Sequence, residues 1–287
     1  MQRNKYKIAF FGTPDFTVDF LRAFKSAGFL ISLIVTNEDK PSGRGHVIAP
    51  PLPKVWAQDN GIICLQPKTL DAEFITELKK TDWDLFVVIA YGKIIPEEII
   101  NRPKHGTINL HYSLLPKYRG ASPVESAILN GETQTGITIQ QMKFKLDAGD
   151  ILLQNKVNID DTLASNELRS VLNRKAIDIF PTFLDEFLSN KIVSIHQDED
   201  EATNCSKFTK ADLDVSEGIA KGDLTTIYRK YKAHDKKVFF FHTHKANSLR
   251  VKITSMNETE ILKVLPESKK EITKEEFEKA YGVIMQK

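Results

Sequence analysis

Residues Lys7–Asn37, KIAFFGTPDFTVDFLRAFKSAGFLISLIVTN, decide the fold class. KIAFFG is a short apolar run ending in glycine, the pattern of a strand buried on both faces in a parallel sheet. The next stretch puts Pro14 near a helix start, sets Phe16, Phe20 and Phe24 on one face, and stops at Gly28. FLISLIVTN returns as a second strand. Strand, helix, strand is the unit from which doubly wound α/β sheets are built.

Working outward, the same alternation continues. A Pro- and Gly-rich loop from Asn37 to Lys54 leads to a helical turn at KVWAQDNG and a short strand at IICLQP. DAEFITELKKT is expected as a helix and DLFVVIA as a buried strand. GTINLHYSLLP opens as a strand, SPVESAILNG is helical, and GITIQQMKFKL is a strand. The stretch from Val157 to Asn190 is expected to be helical, with a kink or break near Pro181. These segments form an expected α/β domain over residues 1–190 with a mostly parallel sheet. The acidic QDEDEATN lies in an expected linker, 191–206. A second small domain, 207–287, contains the helical pattern DLTTIYRKYKAH and the strand-like runs KVFFFHT, LRVKITS and EILKVLP.

Composition narrows the function. The chain has 287 residues with 41% hydrophobic and 27% charged residues, ordinary for a globular protein. The net charge of +2 is unevenly spread. From Thr203 onward 17 Lys and Arg face 12 Asp and Glu, whereas the first 202 residues carry 23 against 26. A nearly neutral body with a basic end fits a catalytic part joined to a part that meets an anion. Cys64 and Cys205 lack metal-ligand spacing and read as free thiols. No apolar run approaches the roughly 20 residues that cross a bilayer. Strand character begins by Ile8, leaving no room for a signal or transit peptide, so a cytoplasmic, bacterial setting is expected.

The chemistry concentrates in INLHYSLLPKYRG, Ile108–Gly120. Asn109 and His111 are two apart on a strand and share a face. An amide and an imidazole at a strand end match the carboxyl edge where open α/β sheets bind ligands. Asp147 lies 36 residues beyond His111, in LDAGDI with Asp150. A carboxylate beside a histidine orients its ring. The set suits acyl transfer to an amine: Asn109 stabilises an oxyanion, and His111 with Asp147 moves the amine proton. GTPDF after the first strand lacks the further glycines of a dinucleotide fingerprint, yet its turn can present backbone N–H groups.

INLHYSLLPKYRGASPVESAIL followed by GITIQQMKFKLDAGDIL closely resembles the core of the folate-dependent formyltransferases that act on methionyl-tRNA. FFGTPDF, VTNEDKPSGRGH, VVIAYGKIIP, ATNCSKFTKAD and VLPESKKEITKEEFEKAYG fall in matching order. The resemblance implies that Asn109, His111 and Asp147 are the catalytic trio. It implies folate contacts from Ser113, Leu114, Leu115 and Pro116, from Ala90, Tyr91 and Gly92, and from Gln141 and Met142 in the stretch to Asp147. The implied formyl donor is 10-formyltetrahydrofolate, with no metal. The implied partner is initiator methionyl-tRNA, with no membrane, and the chain is expected to be a monomer. Arg44 falls on the family's GRG arginine in a loop that reaches the tRNA acceptor end, with Lys40 nearby. A flexible, glycine-bearing loop suits ordering on RNA, and arginine suits phosphate or an unpaired base. His46 and Val47 stand where the family often has lysines, which lowers the loop's charge.

The resemblance also implies an OB-like β-barrel as the second domain. Only about 80 residues remain here, so a reduced or partly open barrel is expected. From Ala220 to Lys252 nine Lys and Arg face two acids, with Tyr228, Tyr231 and Phe239–Phe241 interleaved. Arg229, Lys230 and Lys232 are the expected phosphate contacts. Three other readings share parts of this pattern. They are a formyltransferase acting on a nucleotide-linked amino sugar, a hydrolase releasing formate from folate, and a non-catalytic RNA-binding module. The basic end argues against the first two, and the intact trio against the third.

Overall fold

A computed structural model of the chain describes residues 3–42 and 47–284. Among the described residues one sheet has seven strands: β1 (Ile8–Gly12), β2 (Ile31–Val35), β3 (Ile63–Leu65), β4 (Leu85–Ile89), β5 (Thr107–His111), β6 (Gln134–Gln141) and β7 (Ile151–Asn158). Their spatial order is β7-β6-β5-β4-β1-β2-β3. The strands from β3 to β5 run parallel, and β6 is antiparallel to β5. β1 and β4 are buried at every position, as their unbroken apolar runs require.

This order positions the site. The chain lays β1, β2 and β3 outward in one direction, then crosses back over β1 to place β4 and β5 on its other side. The direction reverses between β1 and β4, and open α/β sheets bind their ligands in the crevice beyond the carboxyl ends at such a reversal. Gly12 closes β1 opposite Ile89 of β4. A Cβ on Gly12 would lie 2.9 Å from the Ile89 carbonyl oxygen and would also meet the Phe10 ring, so glycine lets the strand ends approach.

The helices are α1 (Thr17–Ser26), α2 (Leu52–Asp59), α3 (Ala72–Leu78), α4 (Glu97–Ile100), α5 (Pro123–Leu129), α6 (Ser165–Leu188), α7 (Ser216–Lys221), α8 (Leu224–Ala233) and α9 (Lys274–Tyr281). The expected phenylalanine face of α1 is realised at Phe20 and Phe24, whose rings meet Phe180 of α6 at 6.2 and 5.2 Å. α6 differs from expectation in two ways. It starts at Ser165, because Val157 and Asn158 belong to β7 and because Asp235 caps the helix by accepting from Ser165 Oγ and Asn166 N–H at 2.9 Å. It also continues through Pro181 without a break. Phe180, Phe183 and Leu184 flank that proline and are almost fully buried. Burial of three such side chains, each worth about 1.5–3 kcal/mol, outweighs the ~3 kcal/mol cost of a helix-interior proline.

The chain divides into two compact units that are not contiguous in sequence. Unit 1 comprises 1–119, 136–155 and 172–203, and unit 2 comprises 120–135, 156–171 and 204–287. Segments 120–135 and 156–171, expected in the first domain, therefore group with the C-terminal residues. Within unit 2, Arg169 pairs with Glu125 and Asp235 caps α6, which ties these segments together.

Unit 2 holds an antiparallel sheet of β8 (Phe239–His244), β9 (Asn247–Met256), β10 (Ile261–Pro266) and β11 (Ile272–Thr273), in that order. The reduced β domain is thus an open sheet: among the described residues no ladder joins β8 to β11. Val238, Phe240, Val251, Ile253 and Val264 form its core with Phe277 of α9. The alternation of β8 turns Phe240 inward and leaves Phe241 half exposed. Among the described residues no helix is long and apolar enough to cross a membrane, and no cluster of three or more His, Cys, Asp or Glu could hold a metal.

Candidate functional site

The parts assemble on β5, within unit 1. Its alternation places Asn109 and His111 on one face at the carboxyl end, one strand from the crevice. Asp147 arrives from the loop after β6, with its backbone in the left-handed region at φ 48°. Its Oδ2 lies 3.6 Å from His111 Nδ1, and its Oδ1 lies 3.5 Å from Asn109 Nδ2. His111 Nε2 sits 2.8 Å from the Tyr118 carbonyl oxygen. A carbonyl only accepts, so Nε2 carries a hydrogen and donates to it, which leaves Nδ1 facing Asp147. His111 is buried, whereas Asn109 is half-buried. An imidazolium formed here is balanced by a carboxylate, and the amide beside it is a donor for a developing oxyanion.

Three residues that sequence reasoning missed hold Asp147. Gln140 is buried on β6 directly opposite Asn109. Its Nε2 donates to Asp147 Oδ1 at 2.8 Å, and its Oε1 accepts from Gly149 N–H at 3.2 Å. Gln197, only 2% exposed, donates from Nε2 to the carbonyls of Asp147 and Gly149 at 2.8 and 2.7 Å. Its Oε1 accepts from Nε and Nη2 of Arg119 at 3.0 and 2.8 Å. Arg119, 4% exposed, also clamps Glu199 through Nη1 and Nη2 at 3.1 and 2.9 Å. The Arg119 guanidinium, seconded by Lys145, pushes the Glu199 carboxyl down to about 2. Gln197 and Glu199 lie in the expected linker, which here is anchored to the catalytic loop. Asp150, the second acid of LDAGDI, accepts from Lys143 and His196 at 2.8 and 2.9 Å; these bonds, Lys143 first, hold it below the usual carboxylate range.

The expected folate residues divide into framework and display. Ser113 and Leu115 are buried pins of the turn after β5. Ser113 Oγ donates to the Lys117 carbonyl at 2.6 Å, and Leu115 N–H donates to Thr138 Oγ1 at 3.2 Å. Leu114 and Pro116 are half-buried, and the Leu115–Pro116 peptide is cis. Ala90 and Gly92 follow β4 at the crevice with φ of 50° and 79° and present exposed backbone. Tyr91 between them points inward, 2% exposed, with its ring 5.5 Å from Phe11. Burial pushes its phenol up to about 12. Met142 packs on the same core. Gln141 is not turned to the crevice. It pairs with Ile108 toward the opposite end of β5, and its Nε2 donates to the Thr107 and His105 carbonyls at 3.3 and 3.4 Å.

The expected RNA contacts also divide. Lys40 is exposed and begins the strand Lys40–Ser42, which pairs with Val47–Ala49. Arg44 lies outside the described residues. In unit 2, Arg229 packs its guanidinium against Gly131, and Lys230 donates to the Asp214 carbonyl at 3.3 Å; both are half-buried. Lys232 is a correction. Only 3% exposed, it donates to the Asp161 carbonyl at 2.6 Å, pairs with the Asp161 carboxylate and lies 4.4 Å from the centre of the Tyr228 ring. Its charge is spent inside the unit, and a buried ammonium does not reach a phosphate.

Comparison with known proteins agrees with this geometry. The family described as "Formyl transferase" matches residues 6–184. Methionyl-tRNA formyltransferase of Thermotoga neapolitana is 39% identical over 230 residues, covering 80% of this chain and 72% of that protein. The enzyme of that name from Halalkalibacterium halodurans is 42% identical over 205 residues, covering 71% and 65%. An N-formyltransferase from Helicobacter canadensis, solved with folinic acid and dTDP-3-aminofucose, shares the fold with a TM-score of 0.62 at 17% identity, covering 88% of this chain and 89% of that one. The chain belongs to the formyl transferase family, among the methionyl-tRNA formyltransferases.

Proposed function

We propose that the chain transfers the formyl group of 10-formyltetrahydrofolate to the α-amino group of initiator methionyl-tRNA, giving N-formylmethionyl-tRNA and tetrahydrofolate. The meeting of Asn109, His111 and Asp147 at the carboxyl end of β5 carries this reading. The free amine attacks the formyl carbon, and the Asn109 amide stabilises the oxygen that becomes negative. A free α-amino group has a pKa near ~8, so much of it is protonated at neutral pH and a proton acceptor is useful. His111 accepts the proton released as the new C–N bond forms, with Asp147 balancing the imidazolium. The same proton passes to the folate nitrogen as its bond to the formyl carbon breaks. Exposed backbone at Ala90 and Gly92 and the turn from Ser113 to Pro116 support a folate site along the crevice.

The test uses purified protein, labelled formyl donor and charged initiator tRNA, with uncharged tRNA and a nucleotide-linked amino sugar as controls. Label should move only to the charged tRNA. Asn109→Ala should lower turnover by about 10²–10³, the usual cost of one oxyanion donor. Near-normal turnover in both Asn109→Ala and His111→Ala would remove the mechanism, and transfer to the amino sugar alone would replace the acceptor.

A further inference from the structure

We infer that Asp39 is a positioning residue for the acceptor: through Lys54 and Gln66 it fixes the paired strands Lys40–Ser42 and Val47–Ala49 at the rim of the crevice. The inference rests on the reading that this hairpin meets RNA.

Two elements converge on the Asp39 carboxylate. Lys54, in the first turn of α2, donates to Oδ1 and Oδ2 at 2.9 and 2.8 Å. Gln66, just after β3, donates from Nε2 to Oδ1 at 2.7 Å and to the Asn37 carbonyl at 2.7 Å. These bonds, Lys54 first, hold the carboxyl below its usual range. Asn37 is tied to the crevice on its other side. Its N–H donates to Thr13 Oγ1 at 3.3 Å, and its Nδ2 donates to the Tyr91 carbonyl at 3.2 Å. Thr13 follows β1 and Tyr91 follows β4, the two strands that flank the reversal.

The segment from Asn37 to Asp39 is therefore held to the ligand-side loops at one end and to α2 at the other. The chain then enters the hairpin, with Lys40 opposite Ala49 and Ser42 opposite Val47. Asp39 is held partly buried by its partners, and Lys40, the next residue, is exposed at the start of the strand. Bidentate and shared contacts fix direction as well as distance. A loop that must present a cation to a large acceptor gains from that fixed direction, because less ordering remains to be done on binding.

The experiment compares Asp39→Asn, Lys54→Met, Lys54→Arg and Lys40→Ala in the full chain. It measures the KM for methionyl-tRNA, the KM for 10-formyltetrahydrofolate, kcat and thermal melting. Asp39→Asn and Lys54→Met should each raise the tRNA KM about 5- to 50-fold, the usual cost of stripping one partner from a charge-assisted bond. The folate KM and kcat at saturating tRNA should stay within about twofold, and the double variant should be no worse than the worse single. Lys54→Arg should retain most of the wild-type tRNA KM. An unchanged tRNA KM in Asp39→Asn beside a raised one in Lys40→Ala overturns the inference and leaves the RNA reading standing. Unchanged values in Asp39→Asn, Lys54→Met and Lys40→Ala together sink the reading of the hairpin itself. A parallel fall in kcat, both affinities and melting temperature makes Asp39 a general structural pin, which also overturns it.

Discussion

Gln197→Glu replaces an amide by a carboxylate of the same shape, and the structure says what each half of the change does. The oxygen facing Arg119 is kept, so contacts now at 3.0 and 2.8 Å persist with an added charge. The NH₂ group is lost, and with it the bonds to the carbonyls of Asp147 and Gly149 at 2.8 and 2.7 Å. A carboxylate oxygen then faces two carbonyl oxygens in a place that is 2% exposed. Each buried carbonyl left unsatisfied costs about 1–3 kcal/mol. Arg119 is already engaged by Glu199, so the new charge returns little. The expected net loss is about 2–4 kcal/mol of stability. Because one of these carbonyls is Asp147's own and the other is two residues on, turnover should fall by about tenfold or more as the carboxylate leaves its place beside His111. Urea unfolding and steady-state formyl transfer read the two effects. Stability within about 0.5 kcal/mol of wild type, together with unchanged kcat, would refute the claim that Gln197 holds the catalytic loop.

Lys232→Met should destabilise the protein by about 1–2 kcal/mol, the cost of leaving the Asp161 carbonyl without its donor while the Asp161 carboxylate itself reaches solvent, and should leave the salt dependence of the tRNA KM unchanged. Replacing both Arg229 and Lys230 by Glu should raise that KM and flatten its salt slope by about two phosphate contacts; an unaltered slope places the RNA elsewhere. Glu199 has its carboxyl pushed down to about 2, so its contribution is fully present above the ordinary glutamate pKa and is lost as pH falls from there toward 2. Glu199→Gln should therefore remove part of the acid-side slope of urea midpoints between about pH 4.5 and 2 and leave the neutral range flat. A wild-type slope in the variant would detach Glu199 from the Arg119 clamp.

What could be read in advance follows the range over which the physics acts. Burial of β1 and β4 is a local property of unbroken apolar runs, and the shared face of Asn109 and His111 follows from strand alternation alone. The arrival of Asp147 beside them is non-local. Chemistry suggested Asp147 as a partner for His111, but only the resemblance placed it there, since no pattern within LDAGDI fixes where its loop folds. Gln197 was hidden for a different reason: it sits among acids whose composition reads as solvated chain, and one buried amide does not alter that average. Lys232 did leave a signal. It stands four residues from Tyr228 on α8, beside the buried Tyr231, so its side of the helix faces the core. Counting charges along the chain discards which face each occupies. Gln141 shows the same loss in a strand, where a one-residue step exchanges the faces, so that Gln140 and not its neighbour supports the catalytic carboxylate.

The choice of supporting residues bears on the chemistry. Asn109, Gln140 and Gln197 meet Asp147 through neutral amides, at one carboxylate oxygen and at its backbone carbonyl. An amide orients a carboxylate without cancelling its charge, whereas a lysine or arginine in the same place would satisfy the charge that His111 needs when it takes a proton. The buried cation of this network, Arg119, stands one residue back. It grips Gln197 while Glu199 absorbs its charge from the other side. The arrangement gains the rigidity of a guanidinium clamp and keeps the compensated ion pair away from the Asp147 carboxylate. That separation is what a proton-transfer site requires, and it explains why the residues that hold the trio in place are mostly uncharged.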